Sequence, residues 1–232
     1  MQKALLTMAL AGMIAIPVAA QFRPGLAGGR GNVLANKSVQ AELKLTDSQK
    51  KEVGEIQKAQ QAAMREAFGL FREDKEKAQE QMKKATETTK EAYKKLREGL
   101  KSEQQKRLGE IEIQVAVKDK RLDLFRNEDV LKILKLSDTQ KENLKETGVA
   151  FMKDAKELFD DAKGNFRKMA ETQKKVKGLS NEAFDKVMKG LDTDQKKALE
   201  KAQGESFDYK PDEFPTGPFR RDKGKRKPKE DA

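Results

Sequence analysis

Of the side chains that ordinarily carry out chemistry, this sequence contains neither cysteine nor histidine. That removes the usual zinc, copper and nickel ligands, and with them imidazole as a general base and thiolate as a nucleophile. Carboxylate chemistry is left, and no two Asp or Glu residues stand at a spacing that argues for acid–base work. An enzyme is not expected, nor a metal or other cofactor. The side chains whose types and spacing do stand out form hydrogen bonds. Leu45-Thr46-Asp47-Ser48-Gln49 recurs as Leu136-Ser137-Asp138-Thr139-Gln140, with diverged forms at Leu100-Lys101-Ser102-Glu103-Gln104 and Leu191-Asp192-Thr193-Asp194-Gln195.

The chemistry of such a run is that of a helix start. In a capping box the hydroxyl accepts from the amide three residues on, and the Gln there reaches back to the amide of the cap residue. Thr46 with Gln49 and Ser137 with Gln140 fit this directly. Ser102-Glu103-Gln104-Gln105 is box-like, and Asp192 with Gln195 fits a fourth cap. Asp47 and Asp138 fall in the first turn, where the helix dipole favours negative charge. Leu45 precedes its cap and is expected to pack on a neighbouring helix.

The spacing of the four runs is regular. Gln49 to Gln104 and Gln140 to Gln195 are each 55 residues, and Gln49 to Gln140 is 91. The same offset of 91 relates Asn36 to Asn127, Val39 to Val130, Phe68 to Phe159, Gly99 to Gly190 and Leu108 to Leu199. The sequence therefore repeats one module, over 36–126 and 127–204.

Between Gly25 and Lys210 there is no proline, and Ala, Glu, Lys, Gln, Leu and Met dominate. Helices throughout are predicted, because β-branched alternating runs are missing. Asn36 and Asn127 each cap a short helix. A long helix is expected from Asp47 towards Ala85, about 60 Å at the usual rise, and its second copy ends near Gly178. A shorter helix follows, capped by Thr88 or Thr89 and by Ser180, and closed by Gly99 and Gly190 in the left-handed conformation. The predicted fold is all-α: an elongated antiparallel helical bundle or cradle of two repeated modules, without a sheet.

The two ends differ from the modules. Lys3, the apolar run Ala4 to Val18 and Val18-Ala19-Ala20 read as a secretory signal peptide, residues 1–20, cleaved after Ala20. A periplasmic or secreted protein is expected. Residues 21–35 form a Gly/Arg-rich linker, and 205–232 a disordered tail in which Pro and aromatic residues precede Arg220, Arg221, Lys223, Lys225, Arg226, Lys227 and Lys229. With a net charge of +11, acidic partners are favoured. An acidic polymer or membrane surface is the expected contact of the tail. Nucleic acid is not expected, since no aromatic–basic platform or recognised motif is present.

Leu-Thr-x-x-Gln runs in an exported, basic, all-helical chain resemble the Spy/CpxP-like family of periplasmic proteins. Leu45, Thr46 and Gln49 match its motif literally; Leu136, Ser137 and Gln140 keep the hydroxyl; Leu100, Gln104, Leu191 and Gln195 keep only Leu and Gln. The resemblance implies a helical cradle, usually dimeric, and ATP-independent binding of unfolded or partly folded envelope proteins. Because that family has two motifs per subunit, four motifs imply a pseudo-dimer within one chain, or a homo-oligomer. Phe68, Phe71, Tyr93, Phe159, Phe166 and Phe184 are the expected apolar client contacts. An envelope-stress-associated role is also implied, whereas the family's metal-sensing branch uses His or Cys and is disfavoured. The alternative reading is a structural or adaptor protein of the cell envelope.

Overall fold

The computed structural model describes residues 33–70, 73–162 and 166–210. Among these residues there are eight α-helices and no strand, and no helix is long and apolar enough to cross a membrane. The segment read as a signal peptide lies outside them.

The repeat is written into the element boundaries. After the 3-10 turn Val33–Ala35, α1 (Lys37–Glu42) leads to α2 (Asp47–Leu70), α3 (Lys75–Glu98) and α4 (Ser102–Lys118). A second 3-10 turn, Leu122–Arg126, opens the other copy: α5 (Glu128–Leu134), α6 (Asp138–Asp161), α7 (Phe166–Gly190) and α8 (Thr193–Ala202). Helices α2 and α6 begin and end at positions 91 apart. Asn36 and Asn127 cap α1 and α5 as expected, each side-chain oxygen accepting from the two amides that follow at i+2 and i+3.

The long helix is two helices. It breaks after Leu70, and Asp74 caps α3 by accepting from the Lys77 amide at 3.0 Å. That bond is also the main reason its carboxyl lies below the ordinary range. The break is hidden in the sequence because N3 is Lys77 rather than Glu or Gln, so no box marks it. Thr88, Thr89 and Ser180 are not caps but lie inside α3 and α7. The Thr86 and Thr89 hydroxyls bond back to the Met82 and Ala85 carbonyls, which satisfies them within a continuous helix. Nor does a left-handed glycine close α3: Gly99 has φ −80°, and the one positive-φ glycine among the described residues is Gly204. The left-handed non-glycine positions are Lys44, Lys120 and Lys135, and Lys44 and Lys135, at φ 49° and 45°, stand just before the first motif of each copy.

Helices α2 and α3 form one antiparallel hairpin, α6 and α7 the other. At 24 residues, α2 is about 36 Å long. The first hairpin closes over small residues, with Ala67, Ala78 and Ala85 buried around Met82. In the second, Ala155, Phe159 and Val176 make a small satellite cluster. Two larger cores sit where the hairpins meet the short helices. One gathers Val39, Leu43, Leu45, Val53, Tyr93, Leu96 and Leu100, and the other Val130, Leu134, Leu136, Phe184, Val187 and Leu191.

Helix α4 serves both cores. Leu108, Ile111 and Val115, spaced at i, i+3 and i+7, face the first, whereas Ile113 and Ala116 face the second. A helix apolar on two faces is buried on both. The reciprocal contact comes from beyond α8. Residues 205–210, expected as the start of a free tail, cross the first module and place Tyr209 in its core, with Phe207 packed against it. Ala116 and Phe207 are 91 apart, so each copy sends the same part of itself into the other. The rest of the predicted tail, 211–232, lies outside the described residues.

Lysine in the left-handed region costs roughly 1–2 kcal/mol, part of which a glycine loses again as chain entropy. Lys135→Gly is therefore expected to stabilise the protein by about 0.5–1 kcal/mol. Urea unfolding measures this; a loss of stability would mean that the Lys135 side chain contributes more than its backbone costs.

Candidate functional site

The motif glutamines each have a structural partner, and the motifs meet in pairs. Thr46 accepts from the Gln49 amide at 3.2 Å, and the Gln49 carbonyl oxygen accepts from the Thr46 amide at 2.9 Å. Ser137 with Gln140 and Asp192 with Gln195 close the same box. The third motif departs from expectation. Lys101, not Ser102, is the cap position of α4, and Ser102 is the first helical residue. Lysine has no acceptor, so only the Gln104 half of that box forms, receiving the Lys101 amide at 3.0 Å.

The glutamines then join across the 55-residue interval. Gln140 and Gln195 exchange amide hydrogen bonds of 2.8 and 2.9 Å, and Gln49 and Gln104 do so more loosely at 3.4 and 3.5 Å. The spare N–H groups hold carbonyls at the ends of the short helices: Gln104 donates to Leu43 and Gln195 to Leu134, both at 3.0 Å. Gln140 adds the Gly190 carbonyl at 2.8 Å. Beneath each clip lie two motif leucines, Leu45 with Leu100 and Leu136 with Leu191, all buried. Sequence reasoning found the caps but not their pairing, for which the equal 55-residue spacing was the only signal.

The aromatic candidates divide by burial. Tyr93, Phe159 and Phe184 are core residues and not surface contacts. Phe184 stacks at a tilt on Phe125, ring centres 5.5 Å apart, and burial pushes the Tyr93 phenol up. They correct the expectation of client contacts because their helical spacing places them on the stripe that closes the modules. Phe68 is 53% exposed. Phe71 lies outside the described residues, and of Phe166, which opens α7, the side chain does. The basic residues Arg220, Arg221, Lys223, Lys225, Arg226, Lys227 and Lys229 also lie outside.

Sequence reasoning missed the exposed apolar residues Val149 and Met152 on α6, 58% and 42% exposed. It also missed an open trough between α6 and α7, about 790 Å³, edged by Asp154, Glu157, Asp161 and Glu182 with Lys175. At two of these places the first copy has Ala63 and Leu70, so the hairpins have diverged. No group of three or more acidic residues among the described residues has the geometry of a metal site. No protein-family model, curated protein or solved structure matches the chain.

One charged group lies close to the junction of the copies. Glu112 on α4 takes both its bonds from Arg97, at 2.9 and 2.7 Å, and its side chain is 24% exposed. Burial raises its carboxyl above the ordinary 4.5, against the pull of Arg97. The folded protein thus holds this proton more tightly than the unfolded chain does. The contribution of Glu112 to stability is fully present below the unfolded value and is lost as pH rises through the folded one. Comparing unfolding free energies of the wild type and Glu112→Gln from pH 4.5 upward should show the difference moving in favour of Gln. A pH-independent difference would mean that Glu112 ionises as easily in the folded protein as in the unfolded one.

The clip makes a second prediction. Gln195→Leu leaves the Leu134 carbonyl and the Gln140 amide without their partner, a loss of about 1–3 kcal/mol. In a double-mutant cycle with Gln140→Leu the two losses should couple, since they share one bond pair. Strict additivity would count against the clip.

Proposed function

We propose that the chain is an exported, non-enzymatic helical protein of the Spy/CpxP-like kind, which holds partly folded envelope proteins without ATP. The observation that carries this reading is the apolar surface left on the hairpins. Single exposed apolar residues are ordinary, but Val149 and Met152 stand at i and i+3 on α6 and form one patch, with Lys145 and Lys153 beside it. Phe68 adds a second exposed apolar point near the end of α2. Weak apolar contact of this kind suits partly folded chains. Export rests on the N-terminal sequence pattern, and the paired motifs in a helical fold support the resemblance.

A second reading is favoured by one observation. Residues 205–210 are fixed to the first module, so the basic segment from Arg220 to Lys229 starts ten residues beyond an anchored point. In this reading the protein is an envelope adaptor whose tail binds acidic polymer or membrane surface.

Suppression of aggregation of an unfolding client, without ATP, separates the two. The chain with Phe68→Ser, Val149→Ser and Met152→Ser should need several-fold more protein for the same suppression, and a chain ending at Lys210 should act like the full one. Equal suppression by the triple variant would sink the hairpin-surface reading. Loss on truncation alone would move the activity to the tail.

A further inference from the structure

The segment after α8 occupies a groove that holds it by its backbone. Gly204, at φ 62°, turns the chain out of the helix against the side chain of Glu110, where a Cβ would collide. From there Gln114 on α4 donates to the Gln203 and Glu205 carbonyls at 2.5 and 2.6 Å and accepts from the Phe207 amide at 2.9 Å. Arg107 donates to the Glu205 carbonyl at 2.8 Å, and Asn36 to the Lys210 carbonyl at 2.8 Å. Arg107 is itself held by Glu42 at 2.8 Å and Glu110 at 3.0 Å, so its fork is aimed before the segment arrives.

Four of the five bonds go to the backbone of residues 205–210 and the fifth to the Gln203 carbonyl that ends α8. None of them involves a side chain of the segment, so they would form with any chain of suitable backbone shape. Selectivity comes from two side chains: the Tyr209 amide donates to the Phe207 carbonyl at 3.0 Å, a γ-turn at Asp208 that brings Phe207 and Tyr209 together against the first core. Their rings stand 6.5 Å apart, edge to face. Asp208 and Lys210 face water. Leaving the groove breaks no helical hydrogen bond, because α8 ends at Ala202.

We propose that this groove of the first module is a binding site for peptide segments of the pattern aromatic-x-aromatic, turned at the middle residue as Asp208 is, and that residues 205–210 are a built-in occupant that must leave before such a segment enters. The proposal goes beyond the hairpin-surface reading: it assigns a second site, at the base of the first module, and names what its ligand would present. Its test uses a peptide and not an aggregating client, so either can fail alone. The segment acts as a latch: the apparent affinity for an outside peptide is reduced by the fraction of molecules that are open.

The experiment uses the full chain and a fluorescent peptide of residues 203–212. Phe207→Ser with Tyr209→Ser empties the groove of its aromatic anchors. That double variant should bind the peptide saturably, with the wild type at least about tenfold weaker. A peptide with both aromatics replaced by Ser should not bind, and adding Gln114→Leu to the double variant should abolish binding. A folded double variant that does not bind would overturn the proposal.

Hydrogen exchange on the wild type decides the matter independently of the variant's folding. The Phe207 and Tyr209 amides, both hydrogen-bonded, should exchange much faster than those of Ile111 and Val115, as local opening requires. Equal protection would show that the segment is a permanent part of the core and overturn the latch.

Discussion

The structure depends on α4 lying between two cores that neither copy closes alone. Its Leu108, Ile111 and Val115 fill one side and its Ile113 and Ala116 the other. Full burial of a side chain such as Leu108 or Ile111 is worth about 1.5–3 kcal/mol, and these contributions fall on opposite faces of one helix. Withdrawing α4 would therefore open both modules. The return contact by Phe207 and Tyr209 closes the first core from the other end of the chain. The two copies thus exchange equivalent segments between their cores.

The glutamine clips set the geometry within each copy. Each fixes the start of one helix against the end of another through bonds between neutral amides, which do not depend on pH. The clip of the second copy is the shorter one, and it is there that both boxes are complete. In the first copy Lys101 leaves a box half made and the amide pair lengthens. Looser clipping coincides with the module whose core is finished by a non-helical segment and not by helices alone. The hairpins diverge in the opposite sense: the first closes over alanines, and the second carries the trough and the exposed Val149 and Met152.

The sequence by itself determined the helical class, the duplication and the caps. These follow from local physics: a hydroxyl or carboxylate three residues before a Gln satisfies the first amides of a helix wherever it stands, and a repeat in sequence becomes a repeat in structure. Thr46, Ser137 and Asp192 were legible for that reason. Tertiary structure decided what local signals leave degenerate. An apolar stripe of constant period runs through Leu70 to Lys75 without showing that the chain reverses there, because a lone Asp74 does not stand out among so many charged residues. The same stripe could not say which aromatics are core, so Tyr93, Phe159 and Phe184 were placed on a surface they do not reach. Pairing of glutamines 55 residues apart, and the fate of Phe207 and Tyr209, depend on which elements meet in space. A Pro-rich, charged segment looks free in sequence; only the groove formed by Gln114, Arg107 and Asn36 gives its backbone partners and its two aromatics a place to go.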